Sequence, residues 1–138
     1  MKVLFVCNEN VSRSQMAAAI YNHLTKTHDA DAAGINVDVA GESLGERWKR
    51  VGTSTSFELM KESGLDMSTR VRKQLNQAML KDYDMIISMQ DVSISPDWLK
   101  DQPHYLYWHM PDPKGKGMEA TRATKDEITK RIKELIDS

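Results

Sequence analysis

The sequence predicts one α/β domain, a four-stranded parallel sheet flanked by helices in a three-layer sandwich. Apolar strand-like segments alternate along the chain with segments whose apolar residues recur at helical spacing. Residues 3–6 are apolar at every position, which is typical of a central parallel strand covered on both faces. At 138 residues the chain is long enough for one such domain, which we expect to occupy residues 1–138.

The first half of the chain supplies the expected alternation of elements. Apolar residues at helical spacing predict a helix over 13–25 that packs on the sheet. The polar, small-residue segment 28–34 is predicted to be a connection, and 37–40 a second strand. Residues 41–52 contain three glycines and are predicted to form a loop. A capping-box pattern at its start predicts a helix over 55–63.

The second half continues the alternation. Residues 73–81 are predicted to form a helix, and the apolar segment 85–89 the third strand. A helical turn at 96–99 precedes a last predicted strand at 104–108. A second capping box, which begins at Thr124, predicts the start of a terminal helix with one apolar face.

The junction between the first predicted strand and the first predicted helix is the most informative segment. Cys7, the only cysteine, ends the strand, where ligands of parallel sheets bind. A loop at this place turns main-chain N–H groups toward one point, and the helix dipole favours an anion there. Arg13 adds a planar guanidinium group that can donate hydrogen bonds to two oxygens of a tetrahedral anion. The positive electrostatic field of the loop and Arg13 favours the reactive thiolate of Cys7, and Ser14 can donate a hydrogen bond to it. The segment therefore predicts a thiolate that attacks phosphate or an analogue of it.

Composition and charge narrow the range of functions. Hydrophobic residues make up 40% of the chain, charged residues 28%, and the net charge is −1, so nothing indicates bulk binding to nucleic acid. The basic cluster at 70–73 is interpreted as the solvated start of a helix. No apolar stretch approaches the ~20 residues that span a bilayer, so we expect no membrane partner. One cysteine cannot form an internal disulfide, and we expect a cytoplasmic protein.

The sequence from Cys7 to Ala17, Cys-Asn-Glu-Asn-Val-Ser-Arg-Ser-Gln-Met-Ala, resembles the signature of the low-molecular-weight protein tyrosine phosphatase superfamily. That superfamily also contains the thioredoxin-coupled arsenate reductases. The resemblance continues through 39–43, 62–68 and 83–89 to an Asp-Pro loop at 111–113. It implies the flavodoxin-like phosphotyrosine phosphatase I fold and a phosphatase or arsenate reductase activity.

The resemblance also implies a role for each matching residue. Cys7 is the nucleophile, and Arg13 and the loop bind the phosphoryl oxygens. Asp112 protonates the leaving oxygen and then deprotonates the water that hydrolyses the Cys7-phosphate. The four histidines show no metal-ligand spacing, and neither a metal nor a cofactor is expected. The residues expected to bind the substrate are Asn8, Glu9, Asn10, Val11, Ser12 and Ser14.

Several positions depart from the family pattern. Glu9 replaces a small residue, and a carboxylate beside a dianion predicts reduced turnover unless it faces solvent. Ser12 stands where tyrosine phosphatases often carry a second cysteine. Lys114 replaces an aromatic residue that lines the phenol pocket of tyrosine-specific members, which weakens the case for phosphotyrosine. Trp48, Tyr107 or Trp108 could supply a pocket wall instead, but packing against the core is the favoured interpretation of each.

Three functional hypotheses follow. The first is a phosphatase for phosphomonoesters, with phosphotyrosine in a phosphorylated protein, or a small phosphomonoester, as the expected substrate. The second is an arsenate reductase that uses an external thiol or a thiol-transfer protein, because the two further cysteines of the thioredoxin-coupled members are absent. The third, motivated by Glu9, is an oxyanion-binding protein with weak catalysis.

Overall fold

A four-stranded parallel sheet lies at the centre of the computed structural model, which describes residues 1–138. The strand order is β2-β1-β3-β4, and all neighbouring strands run parallel. The predicted α/β class and parallel sheet are therefore confirmed. The strands are β1 (Val3–Cys7), β2 (Ala30–Gly34), β3 (Met85–Ser88) and β4 (Tyr105–Tyr107).

Helices cover both faces of the sheet. On one face α1 packs against β1, β2 and α5, and α3 packs against α5. The other face is covered through Leu80 of the first 3₁₀ turn and Leu99 of α4. No helix combines the length and the apolar character needed to cross a bilayer. The helices are α1 (Arg13–Thr25), α2 (Leu44–Val51), α3 (Thr55–Glu62), α4 (Asp97–Lys100) and α5 (Met118–Asp137), with 3₁₀ turns at Gln77–Asp82 and Val92–Ile94.

The central strand β1 divides its side chains between two cores. Val3 and Phe5 join the core beneath α1 and α5, while Leu4 and Val6 join the core on the opposite face. Successive side chains of a strand point to opposite faces, so a strand covered on both sides is apolar throughout. Each such side chain contributes roughly 1.5–3 kcal/mol through burial. The continuous apolar run therefore fixes β1 in the middle of the molecule.

The predicted second strand was misplaced. Residues 37–40 are not a strand, and β2 is formed by Ala30–Gly34, which the sequence pattern assigned to a connection. The alanines of this segment have low strand propensity, which hides it from pattern analysis. Ala32 is nonetheless completely buried, because α1 packs directly across β2 and leaves room only for small side chains.

The predicted loop over 41–52 contains a helix, α2. The hydroxyl of Ser43 accepts a hydrogen bond from the main-chain N–H of Glu46 at 3.0 Å. The carboxylate of Glu46 in turn accepts one from the N–H of Ser43 at 3.0 Å. This reciprocal cap satisfies donors at the helix start and outweighs the helix-breaking tendency of the glycines around it.

Two further boundaries differ from the sequence prediction. The helix predicted over 73–81 is only a 3₁₀ turn, because the main chain of Lys73 and Leu75 hydrogen-bonds to Gly34 instead. The terminal helix starts at Met118 rather than at Thr124, whose hydroxyl donates back to the carbonyl of Ala120 within the helix. The predicted helices at 13–25 and 55–63, the turn at 96–99 and the strands at 85–89 and 104–108 are confirmed within two residues.

Candidate active site

The loop between β1 and α1, residues 8–12, is termed the oxyanion loop and rests on a glycine at the end of β2. A Cβ atom added to Gly34 would lie 2.7 Å from the carbonyl oxygen of Asn8 and 2.9 Å from the Cβ of Asn10. Only a residue without a side chain allows the two segments to approach this closely. Gly34 gives no local signal in the sequence, because the small-residue segment around it lacks the pattern of a strand.

Asn10 holds the loop in its curved shape. Its φ of 59° lies in the left-handed region, which asparagine tolerates better than most residues. Its side-chain oxygen accepts hydrogen bonds from Gln15 Nε2 at 3.0 Å and from the main-chain N–H of Lys73 at 2.8 Å. Its amide nitrogen donates to Ser14 Oγ at 2.8 Å. These contacts hold a strained conformation in place, and Gln15 takes part in them, a role that its place in the motif did not indicate.

The loop presents donors that the protein itself does not use. None of the main-chain N–H groups from residue 9 to residue 15 donates a hydrogen bond to another protein atom. The buried hydroxyl of Ser12 also has no partner. Buried donors are normally satisfied, so an unused set at the start of α1 is suited to an anion with several oxygens.

The thiol of Cys7 lies at the floor of a cavity beside this loop. The residue is 3% exposed, yet it lines the cavity together with Arg13 and Asp112. Its Sγ atom lies 2.9 Å from Ser14 Oγ. Because Asn10 already donates to that hydroxyl, the hydroxyl hydrogen is directed toward the sulfur. A hydrogen bond of this kind stabilises a thiolate.

The guanidinium of Arg13 is fixed by main-chain carbonyls from two other segments. Its Nη1 donates to the carbonyls of Met89 and Met110, both at 2.8 Å. Its Nη2 contacts Gln90 Oε1 at 3.3 Å, while Nε has no partner within the protein. The edge formed by Nε and Nη2 is therefore available for the oxygens of a bound anion.

Asp112 stands beside Arg13 on the same cavity. Its Oδ2 lies 3.7 Å from Arg13 Nη2, and the side chain is 50% exposed. Its Oδ1 accepts a hydrogen bond from the main-chain N–H of Lys114 at 3.0 Å. This turn aims the carboxyl group at the cavity that Cys7 lines. The structure thus brings together the three residues that the sequence singled out as catalytic, although Asp112 lies far from the other two along the chain.

The carboxylate of Glu9 is paired rather than free. Lys114 Nζ donates to its two oxygens at 3.1 and 3.0 Å, across the cavity from the oxyanion loop to the Asp-Pro loop. Both residues line the cavity. The pair offsets the negative charge that the sequence analysis expected to disturb a bound dianion.

The cavity has a volume of about 240 Å³, and most of the residues that line it are polar or charged. Residues 51–56 form one wall and residues 112–115 the other. None of the three aromatic candidates lines it. Trp48 stacks on Phe57 with ring centroids 5.6 Å apart, and Trp108 lies in the core 6.0 Å from the ring of Phe5. The hydroxyl of Tyr107 hydrogen-bonds to His109 at 3.1 Å.

Arg72 supports the oxyanion loop through a hydrogen bond to the loop's main chain, a role that the sequence did not predict. It was placed in a solvated basic cluster, but it is only 1% exposed. Its Nη2 donates to the carbonyl of Glu9 at 2.9 Å, and its Nη1 to Glu42 Oε1 at 2.8 Å. Hydrogen bonds from Arg50 first, and from Arg72 second, hold the pKa of Glu42 below its ordinary value. No local sequence pattern predicts this network of Arg72, Glu42 and Arg50, because only the fold brings its members together.

The chain has no cluster of three or more His, Cys, Asp or Glu side chains placed to hold a metal ion. The positive groups at the cavity are instead Arg13, Arg47 and Lys114. Of these, Arg13 lies next to the main-chain N–H donors of the loop, where guanidinium and N–H groups are suited to the same anion.

A parallel sheet whose first strand delivers a cysteine into an anion-binding loop defines a class of cysteine-dependent enzymes. Within that class, the chain belongs to the low molecular weight phosphotyrosine protein phosphatase family, whose model matches residues 2–138. The resemblance inferred from the sequence motifs is thus confirmed.

Proteins similar to this chain are named either as arsenate reductases or as tyrosine phosphatases. The chain is 31% identical to a glutaredoxin arsenate reductase of Synechocystis sp., over 98% of this chain and 95% of that protein. A low molecular weight protein tyrosine phosphatase structure from T. tengcongensis superposes with a TM-score of 0.80 and 28% identity, covering 99% of this chain and 98% of the other. An arsenate reductase structure in the phosphate binding state gives a TM-score of 0.74 at 28% identity, covering 99% of this chain and 98% of the other.

Proposed function

We propose that this protein hydrolyses phosphomonoesters through a covalent Cys7-phosphate. The observation that carries the proposal is the position of Asp112, 3.7 Å from Arg13 on the cavity that the only cysteine lines. Hydrolysis requires a nucleophile, an oxyanion site and an acid that can become a base. This chain supplies all three, and water is the only other reactant.

In the first half of the reaction, the Cys7 thiolate attacks phosphorus and the bond to the ester oxygen breaks. Asp112 gives its proton to the departing oxygen, so that an alcohol leaves rather than an alkoxide. Arg13 and the unused N–H donors of the loop hold the three remaining oxygens as their charge develops.

In the second half, Asp112 is a carboxylate and accepts a proton from water. The resulting hydroxide attacks phosphorus, and the bond between phosphorus and sulfur breaks. The thiolate departs with the electron pair, stabilised by the hydroxyl of Ser14 at 2.9 Å. Inorganic phosphate is released and both residues return to their starting states.

The first testable prediction concerns the two reacting side chains. Cys7→Ser is expected to abolish phosphate release, because a serine hydroxyl in this field is a far weaker nucleophile. Asp112→Asn is expected to slow an alkyl phosphate by about 10²–10⁴-fold and an aryl phosphate by less, because only the alkoxide needs a proton to leave. Phosphate release from both substrates at mildly acidic pH measures this difference.

The exposed Asp101→Asn provides a matched control that keeps both rates. If the wild-type protein released no phosphate from either substrate, or if Cys7→Ser retained the wild-type rate, the hydrolytic proposal would be abandoned. Tight phosphate binding beside negligible turnover would favour the oxyanion-binding hypothesis.

Arsenate reduction is a second candidate, favoured by the 31% identity to a glutaredoxin arsenate reductase. In this reaction the Cys7 thiolate forms a bond to arsenic and water is lost. An external thiol then attacks the Cys7 sulfur, and arsenite leaves with the electron pair of the sulfur–arsenic bond. A second external thiol releases Cys7 from the mixed disulfide. Both thiols come from outside because the chain has no other cysteine.

A coupled assay separates this candidate from the first. Arsenite is measured after incubation with arsenate and either glutathione with glutaredoxin or thioredoxin with its reductase. Thiol-dependent arsenite formation that Cys7→Ser abolishes would support the reductase. Its absence with every donor, in a preparation that releases phosphate, would remove it.

A further inference from the structure

We propose that Arg47 forms a second anion subsite, which selects small phosphomonoesters carrying another anionic group, a carboxylate or a phosphate. The inference rests on the proposed function, because it assigns the class of substrate for the same cavity. Arg47 lies on α2 and lines the cavity with Cys7 and Arg13.

The charges around the cavity leave Arg47 uncompensated. Lys114 is paired with Glu9, and Arg13 lies beside Asp112. The two acidic residues nearest Arg47 in sequence are also occupied, since Glu46 caps the helix start and Glu42 binds Arg50 and Arg72. The guanidinium of Arg47 forms no ion pair and no hydrogen bond of its own.

The helix places Arg47 beside the cavity. Arg47 is half-buried and belongs to a helix whose first turn is closed by the reciprocal cap of Ser43. It also borders a small apolar recess formed by Val11, Leu44 and Phe57. An arginine stem that rests on apolar surface keeps its charged end at the water-filled side. This arrangement favours a position of the charge at the cavity that Arg47 lines.

The walls of the cavity favour such a substrate over an aryl phosphate. Residues 53–56, which line the same cavity as Arg47, all carry hydroxyl groups that are hydrogen-bonded within the protein, and no aromatic residue lines the cavity. The volume of about 240 Å³ is below the roughly 300–1,000 Å³ typical of pockets for drug-sized ligands. A short phosphomonoester fits this space, with its phosphate in the loop and its second anion toward Arg47.

Calorimetry with non-hydrolysable phosphonates tests the subsite without turnover. The probes are propylphosphonate and two analogues whose far methyl group is replaced by a carboxylate or by a second phosphonate. The wild-type protein is expected to bind at least one analogue about tenfold more tightly than propylphosphonate, the factor that one charge-assisted hydrogen bond supplies. The tighter analogue identifies the second anion.

Three variants locate the source of the preference. Arg47→Met is expected to remove the preference and leave the affinity for propylphosphonate within about twofold. Arg47→Lys keeps the charge and is expected to retain part of it. Lys49→Met removes the same charge from the exposed side of the same helix and is expected to retain all of it.

Equal binding of the three phosphonates to the wild-type protein would overturn the subsite, as would a preference that survives in Arg47→Met. Failure of the hydrolytic proposal is recognised separately, because it appears as absent phosphate release while the phosphonate preference is still measurable. Retention of the preference in a protein without turnover would keep Arg47 as a binding residue of an arsenate-handling or oxyanion-binding site.

Discussion

Single charged residues set the electrostatic balance of this cavity. The sequence alone suggested that Glu9 would repel a bound dianion. The structure pairs it with Lys114 through two contacts of 3.1 and 3.0 Å. Lys114 is 63% exposed, so solvent weakens the pair, and each member retains some influence on the anion site. Removing one member therefore exposes the charge of the other.

Opposite effects of Glu9 and Lys114 form the next prediction. Glu9→Gln is expected to lower the KM for a small phosphomonoester by about threefold, because Lys114 then acts on the substrate alone. Lys114→Met is expected to raise the KM by a similar factor, because Glu9 then lacks its partner. Steady-state kinetics at low ionic strength measures both, and added salt is expected to reduce both.

Lys116→Met serves as the control, because this lysine follows in the same loop but lies outside the cavity. The double variant of Glu9 and Lys114 is expected to return close to the wild-type KM. Shifts of the same sign in both single variants would contradict the role assigned to the pair.

At the scale of elements, residue spacing predicted the helices and strands whose formation depends on their own residues. The first helix was predicted over the residues it occupies, because its apolar spacing and its burial on the sheet agree. Strand β2 was missed because its alanines and Gly34 are selected by the close approach of α1 and the oxyanion loop, not by strand propensity. Arg72 was missed for the same reason, since its partners come from distant segments. Cys7 and Arg13 could be proposed because they lie in one short segment, and Asp112 because the Asp-Pro loop resembles that of the family.

The close contact at Gly34 gives a prediction at this scale. Gly34→Ala is expected to destabilise the protein by about 1–3 kcal/mol, because its Cβ would clash with Asn8 and Asn10. Displacement of the loop is also expected to weaken phosphate binding. Urea unfolding measures the first effect and calorimetry with inorganic phosphate the second.

Gly41→Ala is the matched control for that variant. Gly41 has a φ of +93°, and an added Cβ would meet nothing within 4 Å. It is expected to lose stability through backbone strain alone and to bind phosphate as the wild type does. Equal phosphate binding by the two variants would show that Gly34 does not support the loop.

At the scale of the whole molecule, one ionic network centred on the buried Glu42 and Arg72 joins the site to the rest of the fold. Glu42 receives hydrogen bonds from Arg50 of α2 at 3.0 and 2.7 Å and from Arg72 at 2.8 Å. Arg72 also pairs with Asp38 at 2.8 Å and holds the carbonyl of Glu9. Because the segment before α2, the helix itself and the oxyanion loop share these partners, we expect their stability to be coupled.

This network predicts how stability depends on pH. The arginines lower the pKa of Glu42 in the folded protein below its ordinary value of 4.5, which applies to the unfolded chain. The stabilisation is therefore complete above 4.5 and is lost as the pH falls through the lowered pKa. Glu42→Gln is expected to cost about 1–3 kcal/mol at neutral pH, because a buried arginine loses its carboxylate. The variant should also lose less stability in acid than the wild type.

Urea unfolding from neutral pH to pH ~3 measures both effects, and the exposed Glu134→Gln should follow the wild-type curve. Parallel curves for the wild type and Glu42→Gln would show that the network does not control the acid stability of the fold.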